Sequence, residues 1–379
     1  MNIKLNSLII ACAMTFSFSA FADVTVGVIL GETGPSASIG ISAKSVFAIL
    51  PDTIAGEKIK FVIMDDGTDP TKAVKDARKL TAEDKADVLI GSISVPTITA
   101  ISEVAAETKT PQIGLSPITG VAAKNPWLFS VAQPTRVMMS AVVQDMVKRK
   151  VKRIAYIGFS DSWGDQAYEG FASQAQDAGM TIVANERYAR TDSSVSGQVL
   201  KVLASKPDAV VIGAAGNPAV LPNVTLVERG FKGPIYHTHG VITKDFLRLG
   251  GKAIEGAIAP TGPMVVADQL PDSQPTKAVS LPFIKAYEAK YGVGKRDVWA
   301  AYAYDAYLLV AHAVPEALKK GKPGTVEFRQ ALRDSMESIK GLVTTQAVRI
   351  MSPLDRSGVD EKSSRVLVTV HDGHWQLMK

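Results

Sequence analysis

The 379-residue chain carries 42 basic and 37 acidic side chains, a net charge of +5, and a single cysteine. So small a surplus has one cluster, "KRKVKR" (148–153), which reads as the solvated end of a helix; a nucleic-acid surface would want denser charge interleaved with aromatics. One cysteine excludes a disulfide-stapled scaffold, and this length exceeds what a single core fills, so two domains are expected.

The chain opens with "MNIK", an apolar stretch "LIIACAMTFSF", and the small residues Ala20 and Ala22 around Phe21. This pattern predicts a signal peptide over 1–22, cleaved before Asp23, and therefore a periplasmic protein. "IIAC" also resembles a lipoprotein box with Cys12 acylated, but the apolar run before Cys12 is very short. Cleavage removes Lys4 and no acid, lowering the net charge by one. No later stretch offers some 18 uninterrupted apolar residues, so the mature chain is expected to be soluble.

Strand then helix repeats from there. "VTVGVIL" (24–30) predicts a strand, followed by a helix over 38–50, a strand over 59–65 and a helix over 69–84. That helix has Asp69 as N-cap and Pro70 in its first turn. A strand (87–91), a helix (97–107) and a strand (111–116) complete a first parallel set. A second set follows "FSVAQPT" (129–135): a helix to Lys150, strands at 153–159, 181–187, 209–215 and 234–239, and helices at 164–178, 193–204 and 217–229. The Pro-rich passage 262–282 reads as a linker. Two long helices (278–291 and 298–320) and a hairpin about Asp372-Gly373 close the chain. Near-continuous apolar strands with crossover helices predict α/β architecture, two doubly wound parallel-sheet lobes with a ligand cleft at the strand carboxyl ends.

"GVILGETGPSASIG" (27–40), "DDGTDPTKAV" (65–74), "VLIGSISVPTITA" (88–100), "IGFSDSWGDQAYEGF" (157–171) and "AYDAYLLVAHAV" (303–314) occur in the order found in type I periplasmic binding proteins. The chain resembles the leucine/isoleucine/valine-binding branch, receptors of ABC importers, over the whole mature sequence. The resemblance implies an N-terminal lobe of 23–137 and 266–346 and a C-terminal lobe of 138–265 and 347–379, joined by three crossovers. It implies no enzymatic activity, no cofactor, a monomer, and an ABC permease as membrane partner. The family's two disulfide positions, near Gly67 and Ser94, hold no cysteine here.

Carried over residue by residue, the family's ligand-carboxylate grip falls on "GSISVPT" and "GLSPIT": Ser94, Thr97, Ser116 and Thr119, with backbone amides around Val95 and Ile118. Unpaired amides at a helix start plus hydroxyl donors suit an anion, although serine and threonine there also serve simply as N-caps. Trp163 and Trp299 match aromatic positions at the cleft. A further family aromatic falls on Ala215. The acidic residue that faces an α-ammonium in the amino-acid receptors falls on His239, in "YHTHG". A histidine is a poor partner for an ammonium, and alanine makes room. The resemblance therefore points to a carboxylate ligand without an α-amino group, an aromatic acid of the benzoate, phenylpropanoid or phenylacetate type, with a branched-chain amino acid or 2-oxo acid as the alternative.

Two other chemistries are weighed against this. His237 and His239, if they alternate on a strand, share a face, and "HDGH" pairs His371 with His374; zinc normally wants three or four ligands, so no metal site is expected. The nucleophile elbow, the Walker loop and GxGxxG after the first strand are all missing. A ligand sensor for a membrane signalling partner would look the same in sequence.

Overall fold

The computed structural model describes residues 23–118 and 124–378. The expected leader, Cys12 and Thr119 lie outside them.

Two sheets form. The first takes β1 (Val24–Leu30), β2 (Thr53–Ile54), β3 (Glu57–Asp65), β4 (Val88–Gly91), β5 (Gln112–Gly114) and β6 (Leu128–Ser130) in the order β2-β3-β1-β4-β5-β6. The second takes β7 (Arg153–Phe159), β8 (Thr181–Tyr188), β9 (Ala209–Gly213), β10 (Ile235–His237) and β11 (Ile258–Thr261), with the late strands β14 (Val366–His371) and β15 (His374–Leu377), in the order β15-β14-β11-β10-β9-β7-β8. A separate ribbon pairs β12 (Lys340–Val343) with β13 (Val348–Ile350). β1 runs parallel to β3 and β4, and β7 parallel to β8 and β9. β1 is buried at all seven residues and β9 at all five, as strands covered by helices on both faces must be.

In each sheet the winding reverses direction beside its first strand, β1 in one and β7 in the other. In open α/β sheets these reversals open a crevice at the strand carboxyl ends. The chain passes between the two strand sets after β6, after β11 and again between β13 and β14. Those passages are tied together by a buried cluster. Asp305, on the helix Val298–Leu318, accepts from the Thr345 amide (2.8 Å) and hydroxyl (2.6 Å) and pairs with Arg349 Nη2 (3.1 Å). Arg349 Nη2 also donates to the Val131 carbonyl at 2.6 Å. Gln133 Nε2 donates to the Ser364 carbonyl (2.8 Å), and Gln133 Oε1 accepts from the Tyr302 hydroxyl (2.7 Å).

Most of the expected elements form within a few residues of their predicted ends. Asp69 caps the helix Pro70–Ala82 by accepting from the Lys72 amide. His371 pairs with His374 about Asp372 and Gly373, both at positive φ, the conformation a tight two-residue hairpin turn demands. Three readings are corrected. The 262–282 passage is not a plain linker: Pro263–Gln269 forms kinked 3-10 turns and the helix Lys277–Tyr291 starts within it, carrying Pro282. β6, β11 and the helix Val326–Glu337 went unforeseen. The strand expected over 234–239 ends at His237. Thr238 then caps a 3-10 turn over His239–Val241, so the two histidines do not share a strand face.

Candidate functional site

Loops leaving the two winding reversals meet over a narrow slot. Ile93, Ser94 and Val95 follow β4, Ser116 follows β5, and Ile39 lies on the helix after β1. Facing them, Trp163 follows β7, Arg190 follows β8 and Ala215 follows β9; Trp299 enters from the start of the helix Val298–Leu318. The walls leave about 240 Å³ not filled by atoms, narrow enough that only about one water fits between them. The sides have closed on each other: a side chain on Gly216, beyond β9, would meet Ile39 at 3.2 Å, and Gln166 Nε2 donates across to the Pro117 carbonyl at 2.9 Å.

The two tryptophans are placed by the same device. Asp161 caps the helix Ser162–Asp177 and accepts from the Trp163 and Gly164 amides (2.9 and 3.2 Å). Asp297 caps the helix Val298–Leu318 and accepts from the Trp299 and Ala300 amides, both at 3.0 Å. The pattern is Asp-x-Trp in both lobes. Gly164 lets its helix approach β7, since a Cβ there would sit 1.9 Å from the Phe159 carbonyl oxygen. Asp297 also accepts from the Ser42 hydroxyl at 2.5 Å, and burial pushes its carboxyl up to about 6.

Of the residues expected to bind ligand, Ser94, Val95, Ser116, Trp163, Ala215 and Trp299 line the slot. Thr97 lies behind it, fully buried, its hydroxyl 2.7 Å from the Ser94 hydroxyl and 2.9 Å from the Ser94 carbonyl. Ser116 donates its hydroxyl hydrogen to the Ile93 carbonyl at 2.6 Å. Ile118 packs half-buried against the core rather than in the slot wall. His239 is also one layer back, edge-on to Trp163 (centroids 5.5 Å apart) and to Tyr302 (6.5 Å). In place of the family's cross-link, the Ser92 hydroxyl donates to Asp66 Oδ2 at 2.6 Å, joining the same two loops.

The two histidines of "YHTHG" have separate jobs. His237 Nε2 lies 2.9 Å from Asn223 Oδ1, and the Asn223 amide nitrogen donates to the Ala253 carbonyl, so His237 is the donor and belongs to the fold. Both ring nitrogens of His239 are buried with no partner among the described residues, as are the indole nitrogens of Trp163 and Trp299. Buried polar atoms are nearly always paired; two of these unpaired groups, the Trp163 and Trp299 indoles, lie in the slot wall, with His239 behind Trp163. Burial pushes both imidazoles down to about 3, so both rings are neutral in this closed form. Among the described residues, the His/Asp/Glu group that could gather about a cation is the exposed Glu255, His371 and Asp372, far from either histidine of this loop in sequence.

Sequence reasoning missed Arg190. It follows a strand at its carboxyl end, where ligands sit, but the partner that aims it, Asp161, is 29 residues away.

A sequence profile of the periplasmic binding protein family matches residues 23–355. The chain belongs to that family. Like other type I periplasmic binding proteins it has two α/β lobes, and its relatives are solute-binding receptors rather than enzymes. An extracellular ligand-binding receptor from Rhodopseudomonas palustris shares 42% identity, covering 94% of this chain and 99% of that one with a TM-score of 0.91. The Leu/Ile/Val-binding protein BraC3 of Rhizobium johnstonii is 23% identical over 91% of each chain. An R. palustris ABC-transporter solute-binding protein solved in complex with benzoate shares the fold at 21% identity, covering 94% of this chain and 96% of that one with a TM-score of 0.75.

Proposed function

We propose that this periplasmic binding protein is the receptor of an ABC importer for a small aromatic acid. The ligand is held between a lobe of 23–137 and 266–346 and a lobe of 138–265 and 347–379, which close on it as a monomer. One observation carries the reading: among the described residues, the slot wall contains a cation, Arg190, and no carboxylate. An amino acid would leave its ammonium buried without a partner, which costs several kcal/mol. Asp161, which pairs with Arg190 beside the wall, already accepts from Arg190 and two backbone amides. Indole walls and Ala215 favour a ring over a branched chain, since aromatic pairing adds about 0.5–1.5 kcal/mol beyond burial. That a fold relative was solved with benzoate agrees with this choice. Closure follows from differential affinity, because a ligand touching both lobes stabilises the closed form over the open one.

Melting of the mature protein tests the reading. A ligand at 100 times its Kd adds about 2.7 kcal/mol of stability. Benzoate- or cinnamate-type acids should raise Tm, and leucine, isoleucine and valine should not. Stabilisation by the branched-chain amino acids alone would overturn it.

A further inference from the structure

We infer that Arg190 takes the ligand's carboxylate, so that the acid group is anchored on the second lobe and not on the helix start at Ser94 where the family resemblance puts it. The inference rests on the proposed acid-binding slot and assigns the group that recognises the acid. Among the described residues, Arg190 is the only charged one in the slot wall. Its guanidinium is fixed from two directions: Nε donates to Asp161 Oδ2 at 2.5 Å, and its carbon lies 4.3 Å from the centre of the Phe159 ring. Nη1 and Nη2 have no hydrogen-bond partner among the described residues. A guanidinium held by its inner edge presents two parallel N–H groups outward, the arrangement that grips a carboxylate in bidentate fashion.

Arg187, two residues into the same strand end, shows what a structural arginine looks like here. It donates to Asn185 Oδ1 and the Phe159 carbonyl, pairs with Asp165, and lies over Tyr156 and Tyr168. On the opposite wall the hydroxyl hydrogen of Ser116 is committed to the Ile93 carbonyl, and Ser94 and Thr97 are engaged with each other. Those hydroxyls offer an incoming anion mostly lone pairs. Asp161 fixes both Arg190 and the Trp163 backbone, so the acid group and the ring wall are set by one side chain.

The test pairs a residue change with a ligand change. Calorimetry measures benzoate, trans-cinnamate and their amides, benzamide and cinnamamide, with 4-methyl-2-oxopentanoate and leucine alongside, against wild type, Arg190→Gln and Arg190→Lys. Wild type should favour the acid over its amide by about 100-fold or more. Arg190→Gln should reduce that preference to under about 5-fold, and Arg190→Lys, which keeps the charge but loses the fork, should fall between. An arginine that merely braces Asp161 and Phe159 would cost acid and amide equally, and that result overturns the inference while leaving the aromatic-acid reading intact. If only leucine or the oxo acid binds, yet its affinity drops at least 100-fold in Arg190→Gln, the aromatic reading fails and Arg190 stands. If no carboxylate binds wild type, both fail. Should Arg190→Gln not fold, the acid-to-amide ratio in Arg190→Lys decides alone: an unchanged ratio overturns the assignment.

Discussion

On the first-lobe side of the slot, the hydroxyls of Ser94, Thr97 and Ser116 spend their hydrogen bonds on one another and on their own loops. On the second-lobe side, both nitrogens of His239, the Trp163 indole and the outer edge of Arg190 have no partner among the described residues. Trp299 shares this unmet polarity, although it enters from a helix packed in the first lobe. The serine and threonine hydroxyls of the first side are satisfied by folding, whereas these groups of the second are not. If a ligand binds here as proposed, discrimination would rest on the unmade hydrogen bonds, since a wrong ligand would leave them unmade in a dry environment.

The comparison breaks most readily at Trp163. Trp163→Ala should cost on the order of 1–3 kcal/mol of binding, roughly 5- to 150-fold, by calorimetry with a benzoate-type acid. The ligand-free protein should stay folded, because the cap at Asp161 acts on the Trp163 amide and does not depend on the indole. Unchanged affinity would place the polar demand of this side elsewhere.

A smaller effect is expected with pH. His239 is buried in this structure and its ring is held down to about 3; if opening the lobes exposes it, its pKa would return towards the ordinary value of about 6.5. Closing then requires the neutral ring. Binding should be strongest above about pH 7.5 and weaken through 6.5, by about tenfold at pH 5.5. Asp297, raised to about 6 by burial, acts with the opposite sign if closure buries it, so the slope is read as wild type minus His239→Gln. His237, paired with Asn223 inside the second lobe, is buried whether the lobes are open or closed, so an intact His237 contributes no slope. A slope that persists in His239→Gln would remove this residue from closure.

The smallest change is expected on the first-lobe side. Ser94→Ala and Ser116→Ala should each weaken binding less than about 5-fold. Ser94→Ala should also lower stability by about 1 kcal/mol through its lost cap on the helix Val95–Thr108, read from denaturant midpoints. A loss there as large as at Trp163 would reverse the assignment of the two sides.

The α/β rhythm was legible because β1, β4 and β9 are unbroken apolar runs between amphipathic helices. β6 and β11 were not, being three and four residues long with Pro260 inside β11, too short for any period to show. Prolines in 262–282 suggested a linker, yet Pro263 sits at the start of its 3-10 turns, where its missing N–H costs nothing. In the slot, the serines after β4 and β5 and both tryptophans were readable from motif order. His239 was found, but its place behind Trp163 depends on the chain leaving the strand at His237. Arg190 was invisible because its meaning comes from Asp161, a contact made by two strands lying side by side and not by spacing along the chain.

The repeated Asp-x-Trp caps have a geometric consequence. Each indole hangs from the first turn of a helix whose backbone is pinned by an aspartate, so the Cα from which each ring projects is fixed at the helix start. If the two rings cover a bound ligand as proposed, they would act as the jaws of a caliper, their spacing governed by the hinge that sets the two helix starts apart. Jaws in van der Waals contact with both faces of a flat ring stand about 7–8 Å apart, two contact distances of about 3.5–4.0 Å. A branched, tetrahedral carbon is thicker and would stop the lobes short of full closure. On that arrangement, selection would be by the thickness of the cargo, displayed on the outside as the angle between the lobes.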